Sequence, residues 1–147
     1  MLNLGSTATR TKSRFKETQN PKLKVQNESS KPKANLRERS YQFSISLIVF
    51  LKSLPRDPFN VPLVNQLLRC GTSVGANIAE AQGASSKKDF AKFYDIALKS
   101  AHETIHWLSL FADGLGIKSG EIGILKREAG ELANILGASL LTMRNKR

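Results

Sequence analysis

One stretch of the sequence has the residue types and spacing of a metal site, HETIH at positions 102–106. On a helix, His102 and His106 lie one turn apart and could bind Zn²⁺ together, while Glu103 could activate a water molecule as general base. A third ligand would also be needed, and no later glutamate belongs to a ligand motif. The helix places both histidines on its polar side, and no strand is available to bind a substrate. We therefore predict surface histidines, no metal site, no cofactor and no enzyme activity; adventitious metal binding stays open.

A second candidate is the glycine-rich stretch CGTSVGANIAEAQG, residues 70–83. A phosphate-binding loop requires G-x-x-x-x-G-K-[ST] after a strand, so that backbone N–H groups surround the phosphates. Here Gly71 and Gly75 are four residues apart, no lysine follows Gly75, and the preceding residues have helical spacing. We predict a helix instead, because Gly71, Gly75, Ala79 and Gly83 recur every four residues and would lie along one face. Such small residues allow a neighbouring backbone to approach closely.

The opposite side of this helix carries a row of polar residues: Gln66, Arg69, Ser73, Asn77 and Glu80. Two interpretations stay open, a solvated or interfacial row of hydrogen-bonding groups and a surface for recognition or subunit docking. The small and apolar faces together cover roughly half the circumference, wider than the usual stripe of about 100°. The helix should therefore touch more than one neighbour, either two helices of its own bundle or one from another subunit. Cys70 is interpreted as a small hydrophobic residue.

These residues belong to four predicted helices. The first spans about 36–54 and is stopped by Pro55; the second starts after Asn60 and ends near Gln82; the third is capped by Ser86 and the fourth by Ser119. For the first helix we predict a stripe of Tyr41, Ile45, Ile48 and Leu51 or Lys52, widened by Phe43, Leu47 and Phe50. No segment alternates with a period of two. Short connections between amphipathic helices predict an all-α, antiparallel up-down-up-down four-helix bundle over residues 35–147.

Positive charge is concentrated before the bundle. The chain has a net charge of +11, and residues 1–34 contribute eight basic residues against Glu17 and Glu28. The basic residues of this tail are Arg10, Lys12, Arg14, Lys16, Lys22, Lys24, Lys31 and Lys33. The tail has few large apolar residues, so we predict that it is disordered and contacts nucleic acid; a mitochondrial presequence is an alternative. One cysteine and no membrane-length apolar run favour a cytoplasmic protein.

The stretch 67–108 resembles the four-helix-bundle proteins encoded in intervening sequences of bacterial 23S rRNA genes. That family has a signature close to R-x-x-T-S-[IV]-[GP]-A-N-I-A-E-[GA], then a Ser-Lys-x-[DE]-F helix start and an IAL stretch. The matching residues are Arg69, Thr72 to Glu80, Ser86, Lys87, Asp89, Phe90 and Ile96 to Leu98. The resemblance extends more loosely over about 36–143 and does not include the tail.

The resemblance implies a bundle that assembles as a ring, a homopentamer. More distantly, the chain is similar to the accessory variability proteins of diversity-generating retroelements, basic pentamers that bind nucleic acid and a reverse transcriptase. We therefore predict a non-enzymatic, homo-oligomeric binding protein whose ligand is DNA or RNA, with no membrane association. The alternative is a protein-interaction or structural module, such as a reverse-transcriptase accessory protein, without affinity for nucleic acid. In either case the family motif would serve helix packing or the subunit interface, through Arg69, Gly71, Ser73, Gly75, Asn77, Ala79 and Glu80.

Overall fold

The computed structural model describes residues 35–146, which form four α-helices. They are α1 (Leu36–Ser53), α2 (Val61–Ala81), α3 (Lys87–Gly114) and α4 (Gly120–Asn145). The described residues include no strand, and the prediction of an all-α fold is confirmed. The predicted tail, residues 1–34, lies outside the described residues, and so does the prediction of its disorder.

The helix ends follow local sequence signals. Ser86 accepts a hydrogen bond from the N–H of Asp89, and Ser119 accepts one from Glu121, as expected of N-caps. Asn60 occupies the N-cap position of α2 but makes no hydrogen bond with its side chain. At the end of α3, Gly116 adopts φ of +63°, a conformation that favours glycine, and the chain turns sharply toward α4.

Neighbouring helices run antiparallel and surround one hydrophobic core. α2 packs between α1 and α3, α3 packs against α4, and α4 returns to α1, which closes the predicted bundle. The third and fourth helices bury apolar residues at helical spacing, including Ala97, Leu108, Leu132 and Leu136, all fully buried. The two neighbours that the width of α2 requires are therefore present within the chain.

Only part of the stripe predicted for α1 faces the core. Phe43, Leu47 and Phe50 face the core, whereas Tyr41, Ile45 and Ile48 of the predicted stripe are 60%, 39% and 40% exposed. Both sets of residues have helical spacing, so periodicity alone does not choose between them. Packing against α2 determines which set faces the core, because Leu47 fills the space beside Gly71 of that helix. The helix thus has an apolar face on each side and only one of them is covered by residues 35–146.

Candidate nucleic-acid interface

Six exposed cations lie on α3 and at the end of α4. Five of them are near the α2–α3 turn, and the sixth, Lys99, is near the middle of α3. We call them the basic patch: Lys87, Lys88, Lys92, Lys99, Arg144 and Lys146. On α3, the spacing of four and then seven residues from Lys88 to Lys92 to Lys99 keeps the three ammonium groups on one outward face. The last turn of α4 reaches the same end, since Met143 lines a cleft with Lys87 and Phe90.

Asp95 lies in the middle of the patch and is neutralised within the chain. Its carboxylate accepts a hydrogen bond from the Arg144 guanidinium at 3.1 Å, and both side chains are largely exposed. An exposed pair of this kind contributes little to stability, about 0–1 kcal/mol. Its consequence here is electrostatic, because Arg144 offsets the charge of Asp95. Asp89 and Glu103, three and four residues from Lys92 and Lys99, are in neither described salt bridge.

The chain enters the bundle toward the same end. A Cβ at Gly75 would meet Ser40 and Ser44, and a Cβ at Gly71 would meet Leu47, which shows that α1 runs antiparallel to α2. The first turn of α1 therefore points toward the α2–α3 turn. The eight predicted contact residues of the tail lie outside the described part of the chain.

The predicted polar row on α2 divides into two parts. Ser73 and Asn77 are half-buried. The Ser100 hydroxyl of α3 donates to the Ser73 hydroxyl at 3.2 Å, and the Asn77 amide donates to the Ser73 carbonyl within α2 at 2.8 Å. Ser73 therefore joins α2 to α3, and Asn77 is bonded within its own helix. Arg69 and Glu80 are exposed, and their role in an interface stays a prediction.

The predicted row of small residues also divides. Gly71 is buried and Gly75 is half-buried against α1, where a Cβ on Gly75 would lie 3.2 Å from the Ser40 carbonyl oxygen. Ala79 is exposed, and Gly83 lies beyond the end of α2 with only the backbone of Glu80 nearby. The close approach of two helices is therefore restricted to the first two positions of the row.

The HETIH stretch is on the solvent-facing side of α3. His102, Glu103 and His106 are exposed, and the Glu103 carboxylate accepts a hydrogen bond from the Trp107 indole at 3.4 Å. Within residues 35–146, no group of three or more His, Cys, Asp or Glu side chains is arranged to hold a metal ion. His102 and His106 continue the outward face of Lys92 and Lys99 rather than facing a cleft.

A buried polar contact between α2 and α3 was missed by the sequence analysis. The fully buried Thr104 hydroxyl donates to the Ser100 carbonyl at 2.7 Å and lies 3.4 Å from the Cys70 sulfur. Burial raises the pKa of the Cys70 thiol, so the thiol stays protonated and unreactive. The sequence indicates this contact only through Thr104, a threonine among apolar residues at helical spacing. Threonines at such positions are also common in cores that have no functional role.

Two comparisons with known proteins indicate related families. The family model of the 23S rRNA-intervening sequence protein matches residues 33–138. The chain belongs to this family. A crystal structure of a protein with unknown function from the S23 ribosomal protein family of Bacteroides thetaiotaomicron VPI-5482 is 30% identical, with a TM-score of 0.63. The match covers 72% of this chain and 98% of that one.

A search of curated proteins gave no match. None of the helices among residues 35–146 has the length and apolarity needed to cross a membrane.

Proposed function

We propose that this member of the 23S rRNA-intervening sequence family is a non-enzymatic, self-assembling protein that binds nucleic acid through the basic patch and the tail. The observation that supports this is the row of exposed lysines on the outward face of α3, Lys88, Lys92 and Lys99, with Lys87 and Lys146 nearby. Lysines on one rigid face, with their central carboxylate already paired, are suited to phosphates.

The patch favours backbone contact over base reading. Its members are lysines and one arginine, and no aromatic ring lies on the outward face between Lys88 and Lys99 on which a base could stack. Affinity should therefore depend little on sequence and fall steeply with salt, because each neutralised phosphate releases condensed counterions. The ligand class is a polyanionic backbone, DNA or RNA.

The test compares two variants with equal loss of charge. In the first, Lys88, Lys92 and Lys99 are replaced by glutamine; in the control, Lys118, Lys126 and Arg127 are replaced by glutamine. Binding to duplex DNA and structured RNA is measured between about 50 and 200 mM salt. The patch variant should lower the slope of log affinity against log salt by up to about 2.7, at about 0.9 per lost phosphate contact. Equal slopes for the two variants would refute a localised patch.

Removal of residues 1–34 tests the contribution of the tail. The truncated protein should bind more weakly and with a shallower salt dependence, while circular dichroism shows the bundle still folded. If neither the full-length nor the truncated protein binds at about 150 mM salt, the protein-interaction or structural module becomes the better proposal, with a reverse transcriptase as a partner to test.

Self-assembly is the second part of the proposal. The resemblance implies a ring of five subunits, held by contacts between different surfaces of adjacent copies. The apolar width of α2 no longer supports this, since α1 and α3 cover it within the chain. Multi-angle light scattering at micromolar concentration is the test, and a mass of 16.2 kDa, that of one chain, would refute assembly.

A further inference from the structure

α1 carries an apolar stripe on the side that faces away from the core. Tyr41, Ile45, Ile48 and Val49 are between 39% and 60% exposed, and within residues 35–146 no helix covers them. The spacing of four, three and four residues from Tyr41 through Ile45 and Ile48 to Lys52 is that of a helix seam, in which such positions face a partner helix. A contiguous exposed stripe of this kind marks an interaction surface.

Side chains of opposite charge flank the stripe at its two ends. Glu38 lies one turn before Tyr41 and Lys52 one turn after Ile48, and both are exposed. The two described salt bridges, Arg39–Glu128 and Arg144–Asp95, involve neither of them. The arrangement is centred on Ile45, which lies seven residues from Glu38 and seven from Lys52.

From this symmetry we infer that the outer face of α1 binds the same face of a second copy, antiparallel, about a two-fold axis through Ile45. In that register Ile45 meets its own counterpart, Tyr41 meets the partner's Val49, and Glu38 meets the partner's Lys52. Ile48 meets the partner's Gln42. The surface is therefore apolar at its centre and complementary to itself in charge at both ends, as an isologous contact requires. A parallel pairing would place like charges together at both ends.

This inference rests on the proposed self-assembly and adds a contact of a different kind. A ring of five closes through unlike surfaces, whereas the α1 contact joins identical ones. A single pair of helices buries less than the roughly 800 Å² per partner of a stable interface. The contact should therefore form at about micromolar concentration rather than permanently.

Disulfide trapping tests the inferred two-fold axis through Ile45. In the full-length Ile45→Cys protein the new thiols face each other across the two-fold, so mild oxidation should give a covalent dimer. Ile124→Cys is the matched control, because Ile124 on α4 has the same residue type and nearly the same exposure, 38% against 39%. Cys70 is buried and does not interfere. Equal trapping of both variants, or none of Ile45→Cys, would overturn the inference.

Charge exchange tests the register. Glu38→Lys or Lys52→Glu alone places like charges at both ends of the contact and should weaken pairing by about tenfold. The double variant restores opposite charges and should return to within about twofold of the original. Failure of the double variant to recover would overturn the antiparallel register.

The same measurements separate this inference from the proposed assembly. An oligomer by light scattering without trapping at Ile45 refutes the α1 contact and leaves self-assembly standing. A monomer that cannot be trapped refutes both.

Discussion

Replacement of Gly71 by alanine tests the contact between α1 and α2. A Cβ at this position would lie well under 3.0 Å from the Cδ2 of Leu47, closer than real Cβ atoms come. Leu47 is 0% exposed, so it must move within a packed core. Overpacking of this kind costs about 1–3 kcal/mol, while alanine gains about 1 kcal/mol over glycine in a helix. We therefore expect a net loss of about 0–2 kcal/mol in the free energy of unfolding.

The sign should reverse when Leu47 is shortened. Leu47→Ala alone should cost about 2–5 kcal/mol, but in that background the new methyl enters empty space and Gly71→Ala should stabilise by up to about 1 kcal/mol. Gly130→Ala is the control, because Gly130 lies within α4 with nothing inside 4 Å of its would-be Cβ. Urea unfolding of the unmodified protein, the two single variants, the double variant and the control gives the coupling energy. If Gly71→Ala stabilises the unmodified protein as much as Gly130→Ala does, Leu47 does not pack against Gly71 as described.

Two further predictions concern the same helices. Gly75→Leu should lower the free energy of unfolding by about 1–3 kcal/mol or more, since the side chain would press on the Ser40 backbone; an unchanged thermal midpoint would contradict this. His106→Ala should leave the midpoint unchanged because the side chain is exposed, and the purified protein should hold no stoichiometric zinc. One tightly bound zinc per chain, lost in this variant, would contradict the prediction.

Local sequence determined where the helices begin and end. Ser86 and Ser119 cap α3 and α4 because a hydroxyl that follows a turn can accept from the free N–H groups of the first helical turn. Each cap depends on residues within three positions in the chain. The inward faces of α3 and α4 also follow from the sequence, since each of these helices has one dominant apolar face.

The charges of the basic patch could not all be predicted from local sequence. The lysines of α3 could be placed on one face from their spacing, but the sequence gives no indication that Arg144 pairs with Asp95, 49 residues away. That pairing offsets the charge of Asp95 within the patch. It depends on the last turn of α4 reaching the first turns of α3, which is a property of the packed bundle.

The orientation of α1 was decided only by the tertiary structure. The predicted stripe joined two sets of residues, and the set with Tyr41, Ile45 and Ile48 faces solvent. The stripe that packs inward contains Leu47, whose side chain fits the gap at Gly71, while the small Ser40 lets the backbones approach at Gly75. Hydrophobicity is non-directional and is satisfied by either stripe. Shape complementarity between two helices chooses one, and it exists only once both are folded and in contact.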